Sequence, residues 1–272
     1  MLVRPLLLHG KPRGPVEGLH LLQEAAEEVE GIVGARGGLG VVLDGEDGVA
    51  GVGHALEGPV VQVHVGGAAS VIRALEPRQW WEPAFVTSSS GYRRALTALR
   101  ESGQLWRRVY PGQRWQLDGV SIDVLAPDSS WTAAQHDANE TSVVLRVGYG
   151  RRRFLFMGDA EGDEEAWLLE RLPAEALQAD VLKLGHHGSR TSSGAAFVRA
   201  VNPLVGLVSV GAGNRYRHPS PEVLERFAAR QVPLLRSDRE GSVVLSTNGQ
   251  WLEAAAHGDR WRIPERSAIG RP

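Results

Sequence analysis

The sequence contains no cysteine, and this absence removes several chemistries at once. Disulfide bonds, thiolate metal sites and cysteine nucleophiles are excluded, so any metal must be held by His, Asp or Glu side chains. Lysine is almost absent as well, since Lys11 and Lys183 are the only two. The formal net charge is −2, so the chain lacks the overall positive charge that is typical of nucleic-acid binders.

Long apolar runs are also missing. The apolar patch Leu6-Leu7-Leu8 is too short for a signal peptide or a membrane span, and no later segment reaches about 18 uninterrupted apolar residues. The sequence as written therefore predicts a soluble chain without a lipid anchor, and its localisation stays unknown. With 272 residues, of which 42% are hydrophobic, the chain can bury a full core.

Two apolar runs, 154–157 and 181–184, predict strands, and the segment 163–172 between them predicts a helix. In such a β-α-β unit the strands are parallel, and ligands bind at their carboxyl ends. Asp159 follows the first run and His186-His187 follow the second. A carboxylate and two imidazoles that converge at one edge of a sheet favour a metal site.

Each of these motifs also has a plainer explanation. Gly-Asp is a common turn, and His186-His187 could lie in a solvated loop with one structural histidine. His218 follows a third predicted strand, 203–210, but Ser220-Pro221 beside it also predict an ordinary helix start. Asn139 could orient a ligand or simply cap a turn.

The order of the predicted elements indicates the fold class. Consecutive strands between 105 and 125, followed by strands that alternate with helices, predict an α/β fold with two sheets and outer helices, an αββα sandwich. The predictions for the first part of the chain are a helix over 16–30, short strands or a poorly ordered segment over 31–69, and a strand over 80–87. The expected organisation is an atypical N-terminal segment (1–63), the main domain (64–256) and a flexible tail (257–272).

Five motifs occur in a fixed order along the chain: NETSVV (139–144), FLFMGD (154–159), LKLGHHGS (182–189), NRYRHPSPEVL (214–224) and SDREGSV (237–243). Together they resemble the C-terminal metallo-β-lactamase-fold domain of the ComEC family of DNA-internalisation (competence) proteins. The resemblance runs from about His64 to the end of the chain. It implies a metallo-β-lactamase-like αββα fold and a metal-dependent hydrolase site of the phosphodiesterase or nuclease type.

The resemblance also implies roles for individual residues and for a cofactor. Zinc is the expected metal and manganese the alternative; either would acidify a water molecule and neutralise charge on a phosphate. DNA, expected as a single strand, is the implied partner, and the membrane channel domain of the family is absent from this chain. The implied metal ligands are His64, Asp159, His186, His187 and His218; the implied catalytic residues are Asp159, His187, Ser189 and Asn139; the implied substrate-binding residues are Ser189, Arg190 and Asn214.

The sequence departs from the family pattern at its first metal motif, His-x-(His/Asp)-x-Asp-His-x-Gly-Gly. Only the end of this motif is present, beginning at His64. The positions of the other ligands hold Pro59, Val61 and Val63, and none of these can coordinate a cation. Whether the chain is an enzyme therefore stays open. A degenerate, truncated and inactive family member and a non-catalytic DNA-binding module are the two alternatives.

Overall fold

The computed structural model describes residues 39–44, 49–54, 58–62, 68–75, 79–83, 85–117 and 119–265. The strands are β1 (Leu39–Asp44), β2 (Val49–His54), β3 (Gly58–Gln62), β4 (Gln79–Glu82), β5 (Leu105–Arg108), β6 (Arg114–Leu117), β7 (Val120–Ala126), β8 (Val144–Tyr149), β9 (Arg152–Phe156), β10 (Val181–Lys183), β11 (Val205–Val208), β12 (Leu234–Arg236), β13 (Val243–Thr247), β14 (Leu252–Ala256) and β15 (Asp259–Arg262).

Helices separate many of these strands. The α-helices are α1 (Ala68–Leu75), α2 (Ser90–Ser102), α3 (Ser129–Ala134), α4 (Gly162–Arg171), α5 (Ala174–Leu177), α6 (Ala195–Val201), α7 (Pro221–Ala228) and α8 (Ser237–Glu240). Short 3-10 helices span Asn139–Thr141 and Gly185–Gly188. Among the described residues, no helix is both long and apolar enough to cross a lipid bilayer.

Two large sheets organise the described residues. One has six strands in the order β15-β14-β13-β1-β2-β3, and the other has seven in the order β12-β11-β10-β9-β8-β7-β6. In the seven-stranded sheet, β9 to β12 are parallel and β6 to β9 are antiparallel. Strands β4 and β5 form a separate parallel pair.

Alternating side chains of β9 show how the layers pack. Phe154 and Phe156 lie in an apolar core with residues of β13 and β14, including Leu245 and Ala254. Leu155 points to the opposite face of the sheet, where its core includes residues of α4, α6 and α7. Since neighbouring side chains of a strand face opposite ways, one central strand serves both cores. The predicted αββα layering is confirmed.

The predicted β-α-β unit is also confirmed. Strands β9 and β10 are parallel, with Phe154 opposite Val181, and α4 lies between them in the chain. The strand predicted over 80–87 is wrong in length, because β4 ends at Glu82. The backbone at Pro83 leaves the ladder, which is consistent with the missing N–H of proline.

The ends of the described chain add strands to the six-stranded sheet. Within the segment 31–69, β1 pairs with β13 and β2 with β3, so the short strands predicted there are present. Strand β15 lies in the segment predicted as a tail and pairs with β14, which polar composition did not indicate. The helix predicted over 16–30 lies outside the described residues. The domain boundaries at 63 and 257 stay predictions.

Candidate functional site

The candidate site lies at the carboxyl ends of β9 and β10. After β9 the chain turns through Gly158, whose φ of 57° is left-handed, and reaches Asp159. After β10 the backbone N–H of His186 donates to the carbonyl of Gly158 at 3.2 Å. Gly185 lies so close to the carbonyl of Ala160 that a β-carbon there would collide with it. The turns that follow the two strands are therefore packed directly against each other, as the parallel pairing predicted.

The paired histidines lie in a strained turn. His186 and His187 have φ values of 42° and 55°, in the left-handed region that residues with a β-carbon rarely occupy. The hydroxyl of Ser192 donates to the carbonyl of Gly185 at 2.7 Å, and the N–H of Ser189 donates to the carbonyl of His186 at 2.8 Å. These bonds hold a conformation that costs on the order of 1–3 kcal/mol per residue. The two imidazole rings of this turn contact different partners.

His187 is oriented by a backbone carbonyl. Its Nδ1 lies 2.8 Å from the carbonyl oxygen of Ser209, and because that oxygen can only accept, Nδ1 carries the hydrogen. In the neutral ring the lone pair is therefore on Nε2, which lies 3.5 Å from Oδ1 of Asp159. Two electron-pair donors that face each other at this distance suit a shared cation or a proton between them.

His186 has a carboxylate partner that the motifs did not identify. Its Nδ1 forms a hydrogen bond with Oε1 of Glu161, which also accepts from the side-chain amide of Asn139 at 3.3 Å. Glu161 follows Asp159 by two residues, in a run of acidic residues that the sequence shows as a helix start. Its contact with a histidine 25 positions later depends on the packing of the two turns. Asn139 thus joins the site through Glu161.

His218 completes the group of imidazoles. Its ring centroid lies 5.6 Å from that of His186, and within the described part of the chain its buried Nδ1 has no hydrogen-bond partner. Burial lowers the pKa of His218, and the nearby His186 lowers it further, against the opposing charge of Asp159. The neutral ring with a free lone pair is therefore favoured, which is the form that ligates metals.

These side chains fit part of a metal centre. Asp159, His187 and His218 have the donor chemistry. A metal-ligating histidine usually donates its other ring N–H to a carbonyl or a carboxylate, as His187 does to the carbonyl of Ser209. However, the described residues hold no group of three or more His, Asp or Glu side chains close enough to bind one ion. His64 lies outside the described residues, and Val61 lies in β3, of which only the backbone is described.

The residues after the histidine turn form a clamped loop. Glu165 of α4 accepts hydrogen bonds from the backbone N–H groups of Ser193 and Gly194, the latter at 2.7 Å. Arg226 of α7 donates to the carbonyl of Ser192 at 3.1 Å and to that of Ser193. Burial raises the pKa of Glu165 to about 7, against the effect of these bonds. Two helices therefore hold the segment 192–194.

The predicted substrate-binding residues differ in their exposure to solvent and in their hydrogen bonds. Ser189 is buried and its hydroxyl bonds the hydroxyl of Thr191 at 2.8 Å, while Arg190 is exposed. Asn214 bonds the backbone of His218 twice: its Oδ1 accepts from the N–H at 2.9 Å, and its Nδ2 donates to the carbonyl at 2.9 Å. Asn214 therefore shapes the loop that carries His218, and direct contacts of these residues with a substrate stay predictions.

Two further buried polar residues bond the segments that carry the site. Lys183 at the end of β10 is 2% exposed, and its ammonium donates to the carbonyl of Leu184 at 3.1 Å, just before the histidine turn. Glu140 in the first 3-10 helix accepts from the backbone N–H groups of Asp163 and Glu164 at 3.1 and 2.7 Å. Its carboxylate thus caps α4, the helix that carries Glu165.

Comparison with known proteins identifies similar chains. The family model described as "Metallo-beta-lactamase superfamily" matches residues 64–212. The chain is 30% identical over 182 residues to "ComE operon protein 3" of Bacillus subtilis, a match that covers 67% of this chain and 23% of that protein. It is 40% identical over 131 residues to "Competence protein ComA" of Neisseria gonorrhoeae, which covers 48% of this chain and 18% of that protein.

The match therefore spans about a fifth of the length of these two relatives. The resemblance to ComEC-family competence proteins, predicted from the five motifs, is confirmed. Among solved structures, the metallo-beta-lactamase fold protein YhfI from Bacillus subtilis aligns with a TM-score of 0.47 at 8% identity, over 83% of this chain and 99% of that one.

Proposed function

Because the chain belongs to the metallo-β-lactamase superfamily, we propose that it is a ComEC-type metal-dependent hydrolase of phosphodiester bonds in DNA. The observation that supports this most is the geometry of His187, whose Nδ1 is bound to the carbonyl of Ser209 while its Nε2 faces Asp159 at 3.5 Å. Members of the superfamily usually bind divalent metals such as zinc. The competence relatives favour DNA over other phosphodiesters as the substrate.

In this proposal a divalent ion, with zinc expected and manganese as the alternative, would bind between Asp159 and His187. His218 would join them only after a shift of side chains, since no three such groups of the described residues are arranged for one ion. The ion would acidify a water molecule and neutralise charge on the phosphate. Glu161 orients the ring of His186 through its Nδ1. Arg190 is exposed beside the turn, where its guanidinium fork suits two phosphate oxygens.

A second candidate is a degenerate family member that catalyses nothing. The specific observation in its favour is the incomplete first metal motif, in which Pro59, Val61 and Val63 replace the expected ligands. In agreement with this, the described residues hold no group of three or more acidic or imidazole side chains arranged for one ion. The two candidates make opposite predictions for metal content.

The test measures metal bound to the purified chain after dialysis, together with hydrolysis of bis(p-nitrophenyl) phosphate in the presence of zinc or manganese. We compare the unaltered chain with Asp159→Asn and with Asp163→Asn, which makes the same change at an exposed position of α4. The hydrolase proposal expects metal and activity in the unaltered chain and in Asp163→Asn, and loss of both in Asp159→Asn. Absence of metal and of hydrolysis in all three would contradict it and favour the inactive member.

A further inference from the structure

Tyr216 is an exposed aromatic residue at the edge of the candidate site. Its side chain is 64% exposed, and its ring lies nearly parallel to that of His218, with centroids 5.8 Å apart and an angle of 16° between the planes. Single exposed aromatic residues are common on protein surfaces. Tyr216 differs from an ordinary exposed aromatic residue because its ring stacks on a histidine of the site.

A neighbouring arginine orients the ring of Tyr216. The guanidinium of Arg215 donates to the phenol oxygen at 2.7 Å, and its central carbon lies 4.8 Å from the ring centroid. These contacts leave most of the tyrosine surface uncovered. The pair therefore presents an aromatic surface and a positive charge side by side, which is the combination that holds unpaired bases and their phosphates.

The loop that carries this pair is held in place before any ligand binds. The side chain of Asn214 bonds both the N–H and the carbonyl of His218, and the N–H of Arg217 donates to the carbonyl of Asn214 at 3.1 Å. Because these hydrogen bonds already order the backbone, stacking of a base on Tyr216 carries no additional free-energy cost for ordering the loop.

We propose that Tyr216 and Arg215 form a stacking platform for an unpaired base of single-stranded DNA, which places the adjoining phosphate next to His218. This inference rests on the proposed function and adds a recognition element to it. Bases inside a duplex are already stacked on their neighbours and cannot lie against a tyrosine, whereas a single strand offers every base. The platform therefore favours single strands over duplexes without any reading of sequence.

The test measures binding, so that it does not depend on hydrolysis. Fluorescence anisotropy follows a labelled single-stranded oligonucleotide, and the matched duplex, in buffer with EDTA. We expect Tyr216→Ala to weaken single-strand binding by about fivefold to a hundredfold, since stacking of one base contributes about 1–3 kcal/mol. Tyr216→Trp should restore binding, because a larger aromatic surface serves the same purpose, and duplex binding should be weak in all variants.

Two further variants separate stacking from charge and from general surface effects. Arg215→Gln should reduce the dependence of binding on salt concentration by about one phosphate contact, whereas Tyr216→Ala should leave that dependence unchanged. Trp261→Ala removes another partly exposed aromatic residue, on the edge strand β15, and should bind like the unaltered chain.

Equal single-strand affinity for Tyr216→Ala and the unaltered chain would overturn the platform, as would tighter binding of the duplex than of the single strand. Neither result bears on the proposed hydrolase, which is judged by metal content and by hydrolysis of a substrate that contains no base. Conversely, loss of single-strand binding in Tyr216→Ala supports the platform even if the chain does not hydrolyse bis(p-nitrophenyl) phosphate.

Discussion

Replacement of Glu165 by glutamine tests how the clamp on the segment 192–194 depends on pH. Burial raises the pKa of Glu165 from its ordinary value of 4.5 to about 7 in the folded protein. Each pH unit of displacement corresponds to about 1.4 kcal/mol, so ionised Glu165 lowers the free energy of unfolding by about 3 kcal/mol. The two carboxyl oxygens accept hydrogen bonds from the backbone N–H groups of Ser193 and Gly194, and these bonds favour the ionised form and oppose the effect of burial on the pKa.

The direction of the effect follows from where the proton binds. Between pH 4.5 and about 7 the folded chain keeps the proton on Glu165 while the unfolded chain has released it. The stabilisation from this group is therefore complete below about pH 4.5 and is lost as the pH rises through about 7. In Glu165→Gln nothing titrates at this position, so its contribution to the pH dependence disappears.

Urea unfolding of the unaltered chain and of Glu165→Gln at several pH values provides the assay. In the glutamine an amide NH2 replaces one carboxyl oxygen and cannot accept from one of the two backbone N–H groups. The free-energy cost of this lost hydrogen bond is the same at every pH. The difference in unfolding free energy between the two proteins should therefore change by about 3 kcal/mol from about pH 4.5 to 7.5, in favour of the variant at high pH. Glu175→Gln, which removes one charge from an exposed position, is the matched control.

A difference between the two proteins that stays constant across this pH range would refute the reasoning. It would mean that the two backbone N–H donors and Arg226 stabilise the carboxylate as much as burial destabilises it. A change of similar size in Glu175→Gln would likewise refute it, because the effect would then reflect general charge and not the buried clamp.

Two further predictions concern the supports of the site. Glu140→Ala leaves the first-turn N–H groups of α4 without their cap and should lower the free energy of unfolding by about 1–2 kcal/mol, measured by urea unfolding; unchanged stability would contradict the cap. Asn214→Ala removes two hydrogen bonds to the backbone of His218 and should cost about 1–2 kcal/mol, together with reduced hydrolysis and weaker single-strand binding. Activity and affinity equal to those of the unaltered chain would show that the loop does not need this side chain.

Local patterns in the sequence predicted the centre of the fold. Apolar runs of strand length predicted β9 and β10, and the helical segment between them predicted their parallel pairing, which the structure confirms. From that topology alone, Asp159 and His187 were expected at one edge of a sheet, and their side chains lie 3.5 Å apart. These predictions succeeded because strand periodicity and β-α-β connections depend on residues close in sequence.

Other features depended on contacts between distant segments. The strand predicted over 80–87 ends at Glu82, and β15 forms in a polar tail because β14 offers it an edge. No local pattern distinguishes an exposed acidic residue from a buried one, so the role of Glu165 became visible only when α4 packed against the loop after the histidines.

The sequence by itself determined the central β-α-β unit, the order of its elements, and that Asp159 and the paired histidines follow neighbouring strands. The tertiary structure decided how the side chains are used. It pairs His186 with Glu161, directs His187 toward Asp159 through the carbonyl of Ser209, and lays Tyr216 against His218. Such orientations arise from long-range packing and hydrogen bonds, which spacing along the chain does not encode.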